Sequence, residues 1–256
     1  MTKTSKAPSV MKRVAAFAGG LLLSATALAA DPAVPLQQSG TDLTDRASLQ
    51  RGAQLFMNYC SGCHSLKYLR YSRMAEDLGL TEDEVMANLN LTGAQFGSHI
   101  VSAMPAEGSA SWFGQVPPDL SLTVRSKLGG PDWVYTYLKS FYLDESRPLG
   151  WNNTMFPNAS MPNVFWEQQG LQRAVYGEVD EVTGEPVVER LEIATPGTQS
   201  AAEFDQTIRD ITAFLQYASE PIAAKRQAMG VWVILFLVFL AFLAWMLKNE
   251  YWRDVH

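Results

Sequence analysis

From Gly230 to Leu247 the chain runs for eighteen residues without a charge, dominated by Leu, Val, Phe and Trp. No other stretch constrains the architecture more. In hydrocarbon each backbone N–H and C=O needs a partner inside its own segment, so a single span of this kind is an α-helix. At 1.5 Å per residue it covers about 27 Å, close to the apolar thickness of a bilayer. The run is apolar on every face, unlike the one-sided helix that covers a soluble core. Trp232, Trp245, Tyr251 and Trp252 stand where amphipathic rings favour the two interfaces. Lys225 and Arg226 balance Lys248 and Arg253, so flanking charge does not orient the span.

Upstream, Lys12 and Arg13 precede an apolar run, Val14 to Leu28, that closes with Ala27-Leu28-Ala29, the small-x-small pattern of a signal-peptidase site. Residues 1–29 are therefore expected to be an export signal cleaved after Ala29. The expected plan is a periplasmic domain over 30–224 and an anchor over 225–256 in a bacterial inner membrane, with the span at about 230–247 and a short cytoplasmic tail. Lys3, Lys6, Lys12 and Arg13 are the only charges in 1–29, so the remainder carries 16 basic against 26 acidic groups, a net of −10. That balance argues against nucleic acid and for basic partners.

Two cysteines occur, both within Cys60-Ser61-Gly62-Cys63-His64. A disulfide closing so short a loop constrains little of the unfolded chain. A thioredoxin-type Cys-x-x-Cys belongs beside βαβ patterns, and the His that follows immediately is what haem attachment requires. Two thiols three positions apart can each add to a vinyl group of one porphyrin, while the next imidazole turns to the iron. The motif thus predicts one covalently attached haem c on Cys60, Cys63 and His64.

The segment Asp31–Asp45, broken by Pro32 and Pro35, reads as an extended lead-in. Arg46–Lys67 is helical in character, with Ala47, Leu49, Ala53, Leu55, Phe56 and Met57 forming a stripe that runs into the cysteine pair. Thr81 caps a second helix whose first turn is acidic and whose apolar face holds Val85, Met86 and Leu89. Gly93–Leu120 reads as loop, Pro131–Tyr142 as helix, Asn152–Asn163 as loop, and Val175–Ile193 as a hairpin around Thr183-Gly184. Glu203–Ser219 is amphipathic, with Phe204, Ile208, Ile211, Leu215 and Ala218 at helical spacing. The expected fold is mainly α: a cytochrome c-like helical haem domain with long loops, plus one C-terminal transmembrane helix.

A second axial ligand has to come from elsewhere in the chain. Besides His64 the histidines are His99 and His256, so a methionine is favoured, and a thioether also raises the potential. Met57, Met74, Met86, Met104, Met155 and Met161 lie outside the span. Met104-Pro105 and Met161-Pro162 both fall in loops, where a thioether is free to face a ring, and spacing does not choose between them.

Four segments in order, Cys60-Ser61-Gly62-Cys63-His64-Ser65-Leu66, Pro117-Pro118-Asp119-Leu120-Ser121, Met155-Phe156-Pro157-Asn158-Ala159-Ser160-Met161-Pro162 and Phe214-Leu215-Gln216-Tyr217-Ala218-Ser219-Glu220-Pro221, lead into the C-terminal span. Together they resemble the cytochrome c1 family, the c-type haem subunits of the cytochrome bc1 complex. The resemblance implies His64 and Met161 as axial ligands and Pro117 and Pro118 as a wall against the ring. It further implies Arg125 and Lys127 at the haem propionates, Lys127 standing where the family commonly has arginine, and Trp133 at a position that is often tyrosine.

With both axial positions filled by protein the expected task is outer-sphere electron transfer. The resemblance implies electrons arriving from the Rieske iron–sulfur protein and leaving to a soluble or tethered cytochrome c, cytochrome b packed on the anchor, and a dimeric complex. The acidic group Glu178, Asp180, Glu181 and Glu185 suits steering of a basic cytochrome c. The same motif would also serve the cytochrome subunit of another respiratory oxidoreductase, such as a nitric oxide reductase or terminal oxidase, and the thiols alone a haem-free redox protein.

Overall fold

The computed structural model describes residues 35–179, 184 and 186–255. The expected export signal at 1–29 lies outside them, as do Asp180, Glu181, Thr183 and Glu185. The lead-in from Leu36 is extended and laid across two later helices: Gln37 N donates to Thr136 Oγ1 at 2.9 Å, Ser39 N to Asp132 Oδ1 at 2.8 Å, and Thr41 Oγ1 to Gln216 Oε1 at 2.6 Å.

Helix α1 (Arg46–Leu55) is capped by Asp45, which accepts from Ser48 N at 3.1 Å. It does not continue to Lys67. A π-turn, Phe56–Cys60, follows it, then a tight turn and strand β1 (Leu66–Arg70), which pairs antiparallel with β2 (His99–Ile100). Between these strands lie α2 (Tyr71–Leu78), which the periodicity did not disclose, and α3 (Glu82–Asn88). The Thr81 cap is a full capping box: Thr81 N donates to Glu84 Oε2 at 2.7 Å and Glu84 N to Thr81 Oγ1 at 3.2 Å. The expected loop 93–120 contains β2 and a helix, α4 (Ala106–Phe113).

After α5 (Thr123–Ser126), α6 (Pro131–Lys139) opens with proline in its first turn and ends three residues earlier than expected, because Phe141–Leu143 forms β3 against β4 (Trp151–Asn153). A short α7 (Trp166–Gln169) leads into a hairpin, β5 (Gly170–Val179) with β6 (Pro186–Pro196), longer at both arms than the sequence suggested. Gly170 permits its base: φ is +91°, and a Cβ there would overlap the Thr195 carbonyl oxygen.

Helix α8 (Ala201–Ser219) carries a second capping box, Ser200 with Glu203, and buries all five apolar positions named for it. It packs against α1, α5, α6 and α7. Gly52 makes the α1 crossing close, since a Cβ there would overlap the Asp210 carbonyl oxygen and lie 2.7 Å from Phe214 Cβ. Across the same contact Asp210, 3% exposed, accepts from Ser48 Oγ at 2.6 Å and Arg51 Nε at 2.6 Å, and within α8 it accepts from Gln206 Nε2 at 2.8 Å. Phe56 and Met57 from the π-turn join Ile208, Ile211 and Phe214 in the core. The π-turn that ends at Cys60, where the cysteine motif begins, is thereby fixed to the longest helix of the domain.

Helix α9 (Ala223–Tyr251) contains the uncharged run and is about 43 Å long at 1.5 Å per residue. Within its apolar stretch nothing is buried, and it is the helix among the described residues long and apolar enough to cross a membrane. The architecture is mainly α with one C-terminal apolar helix, as expected. Of the three two-stranded sheets among the described residues, β5–β6 is the expected hairpin, and β1–β2 and β3–β4 are additions to that reading.

Candidate haem-binding site

The cysteine motif starts inside the π-turn. Ser61 N donates to Phe56 O at 2.9 Å, an i to i+5 bond, and Ser61 Oγ to Met57 O at 2.7 Å. The extra residue re-aims the last turn, a device common at functional sites. Cys63 N and His64 N then both donate to the Cys60 carbonyl, at 3.0 and 2.8 Å, so the backbone folds sharply. Cys60, Cys63 and His64 all line one slot as a result.

Burial pushes the Cys60 thiol up to about 12, with the neighbouring Cys63 adding to the shift, and burial raises Cys63 as well. Thiols that work by disulfide exchange are shifted the other way, by positive charge or a helix N-terminus. Both thiols open on the apolar slot, where they are placed to meet the edge of a ring bound there.

Burial lowers the His64 pKa, opposed by its bond to Pro118 and by the Asp119 charge. His64 Nδ1 lies 2.7 Å from the Pro118 carbonyl oxygen, which accepts from it and leaves Nε2 as the nitrogen with a free lone pair. A metal-binding histidine is typically oriented this way, its second nitrogen donating to a carbonyl. Pro118 is held in turn: Lys67 N donates to Asp119 Oδ2 at 2.9 Å, Tyr68 N to Ser121 Oγ at 3.1 Å, Ser121 N to Asp119 Oδ1 at 3.0 Å, and Leu120 N to Ser65 O at 2.9 Å. The Pro-Pro-Asp-Leu-Ser segment is thus stitched alongside the residues that follow His64. The sequence names Asp119 and Ser121 within this segment but assigns them no role. An Asp two residues before a Ser is an Asx-turn signal that could have marked them.

Met161 belongs to a loop shaped by asparagines. Asn153 Oδ1 accepts from Met155 N at 2.9 Å and Phe156 N at 3.1 Å, and Asn152 Oδ1 from Asn158 N at 2.8 Å. Asn158 itself has φ +66°, a left-handed conformation that asparagine tolerates better than most residues. Met161 lines the slot, and Tyr137 Oη donates to its Sδ at 3.5 Å. Burial pushes the Tyr137 phenol up to about 12, so the hydroxyl keeps its proton. Met57 and Met74 are core residues, and Met104 does not line the slot although it too lies in a loop.

The slot is walled by Tyr59, Phe113, Pro117, Pro118, Pro162 and Val164 as well as the motif residues. An apolar slot with two thiols, an oriented imidazole and a thioether on its wall has the chemistry to hold a haem. Arg125, Lys127 and Trp133 are not part of that wall. Arg125 reaches Glu220 at 3.6 Å, a carboxylate also gripped by Arg226 at 2.7 Å. Lys127 Nζ sits 4.5 Å from the Trp133 ring centre and 5.5 Å from that of Phe156, so it clips the methionine loop to α6. Tyr59 was not anticipated; its ring packs 5.0 Å from Phe165 and its hydroxyl accepts from Gln168 Nε2.

Known proteins resemble this chain over most of its length. The cytochrome c1 of Allochromatium vinosum is 50% identical over 237 residues, spanning 92% of this chain and 96% of that relative. The ammonia monooxygenase gamma subunit of Nitrosomonas europaea is 40% identical over 223 residues, 87% of this chain and 90% of its own. The cytochrome c1 of Rhodospirillum rubrum is 31% identical, with 82% and 83% of the two chains covered. Residues 37–255 match the Cytochrome C1 family, and together with these relatives the match establishes that the chain belongs to the cytochrome c1 family, whose cofactor is haem c.

Proposed function

We propose that this chain carries one haem c, covalently attached through Cys60 and Cys63 and ligated by His64 and Met161, and relays electrons from a Rieske iron–sulfur protein to a cytochrome c within the bc1 complex. The observation that carries the reading is the slot itself, in which a histidine with Nδ1 committed to the Pro118 carbonyl and a loop methionine line the same apolar space. When bound, the haem supplies a one-electron iron couple whose coordination is complete, which favours electron exchange over substrate chemistry. Pro117, Pro118 and Val164 give the slot an apolar wall. The bond to Pro118 fixes the His64 ring, and the asparagine-shaped loop presents Met161.

In this reading 1–29 is a cleaved signal, 30–224 a periplasmic haem domain and 225–256 the inner-membrane anchor, with α9 against cytochrome b in a dimeric complex. Arg125, Lys127 and Trp133 serve the propionate edge, which requires Arg125 to share itself with Glu220 and Lys127 to turn from the Trp133 face. Glu178 and the acidic residues after it steer a basic cytochrome c, so the reaction rate falls as salt rises.

The test is purification from native membranes followed by addition of a quinol. Co-purification with cytochrome b and a Rieske protein, and quinol-driven reduction of a c-type spectrum, are expected. One relative bears the name of an ammonia monooxygenase subunit. Recovery with an enzyme of that kind, and with neither cytochrome b nor a Rieske protein, would overturn the assignment.

A further inference from the structure

We propose that Tyr137 is a positioning residue that sets the reduction potential through Met161, by donating a hydrogen bond from its hydroxyl to the thioether sulfur. The proposal rests on the reading of Met161 as an axial ligand. Its structural basis is the 3.5 Å approach of Tyr137 Oη to Met161 Sδ, a contact spanning 24 positions of sequence. Among the described residues that sulfur is the hydroxyl's hydrogen-bond partner.

The tyrosine is not free to move away. Its ring stacks on Trp133 with centres 5.0 Å apart and planes 10° apart, and meets Phe141 edge-on at 5.1 Å. Its backbone carbonyl accepts from Asn153 Nδ2 at 2.9 Å. Asn153 is the residue whose Oδ1 holds Met155 and Phe156, so one asparagine ties the tyrosine and the methionine loop together. The hydroxyl is thereby aimed at the sulfur by an aromatic stack on one side and the loop's own scaffold on the other.

A thioether sulfur has two lone pairs. One can be given to a metal while the other accepts an O–H, so the two roles are compatible on one atom. Proton donation draws electron density from the sulfur and makes it a poorer donor. The ferric state, which needs that density more, loses more than the ferrous state, and the reduced form is favoured. Hydrogen bonding to a ligand is one of the recognised means by which a protein tunes a haem.

Tyr137→Phe keeps the stacked ring and removes the hydroxyl. A single weak hydrogen bond to sulfur sets an expected shift of about three- to tenfold toward the ferric form. At 59 mV per tenfold for one electron, the midpoint falls by ~28–59 mV, with the sulfur-to-iron charge-transfer band retained. A midpoint that moves by less than about 10 mV, or a band that disappears with the hydroxyl, overturns the proposal. In a Met161→His background, where no thioether remains, the same exchange is expected to move the midpoint by less than half as much, and an undiminished shift also overturns it. Absence of the band from the unsubstituted holoprotein removes Met161 as ligand and this proposal with it. A band present with an unmoved midpoint removes the role of Tyr137 alone.

Discussion

Gly52→Ala puts helix propensity and helix packing in direct opposition. In an isolated helix the exchange stabilises by about 1 kcal/mol, because alanine gives up less backbone entropy. At the crossing of α1 and α8 the new methyl would overlap the Asp210 carbonyl oxygen and stand 2.7 Å from Phe214 Cβ and 2.8 Å from the Asp210 carbonyl carbon. Comfortable carbon–carbon separation is about 3.5–4.0 Å, so the helices must part by on the order of 1 Å. Overpacking of this sort costs about 1–3 kcal/mol. Parting also stretches the 2.6 Å bonds from Ser48 Oγ and Arg51 Nε to Asp210, for roughly 1 kcal/mol more. The net expectation is a loss of about 1–3 kcal/mol, or about 3–10 °C in the unfolding midpoint for a chain of this size. Urea unfolding of the detergent-solubilised protein, followed by circular dichroism and read with an unchanged m-value, checks it. A variant more stable than the parent by about 1 kcal/mol would refute the close-crossing account and leave propensity in charge.

Asp119→Ala removes the acceptor for Lys67 N and Ser121 N, so the Pro118 carbonyl loosens its hold on His64; binding of added imidazole to the ferric protein is expected to tighten by about threefold or more, and unchanged affinity would mean the segment is held by other bonds. Met161→Leu is expected to abolish the sulfur-to-iron absorption band and lower the potential, whereas Met104→Leu leaves both intact; the reverse pattern assigns the ligand to Met104. The capping-box bonds of Thr81 and Ser200 hold Glu84 and Glu203 below the ordinary 4.5 of a glutamate. A carboxylate depressed on folding stabilises above its unfolded value and loses that contribution as pH falls through the folded one. Replacing both by glutamine is therefore expected to flatten the thermal midpoint against pH below about 4.5, and an unaltered profile counts against the boxes.

The elements that could be read from sequence are those whose reasons are local. Helix α8 announces itself because Phe204, Ile208, Ile211, Leu215 and Ala218 share one face and all are buried. The Thr81-x-x-Glu84 box likewise lies within four residues. The helix expected through Lys67 fails beyond Cys60 because what holds 66–70 is distant, namely pairing with Ile100 and the side chains of Asp119 and Ser121. Helix α4 escaped notice because Gly108, Ser109 and Ser111 are weak helix formers and Ser109 is its buried position. The cysteine motif was legible because its two thiols and its imidazole fall within five consecutive residues. The partner of His64 was not, since a backbone carbonyl leaves no letter in the sequence, and neither was Tyr137, which meets Met161 only once α6 and the methionine loop are folded together.

Intact-mass measurement of the natively matured polypeptide, with peptide mapping across 56–68, bears most directly on the central claim. The account predicts the mass of one haem added to the processed chain and carried by the peptide that contains Cys60 and Cys63. A chain of bare polypeptide mass, with both thiols free to alkylation, would contradict it.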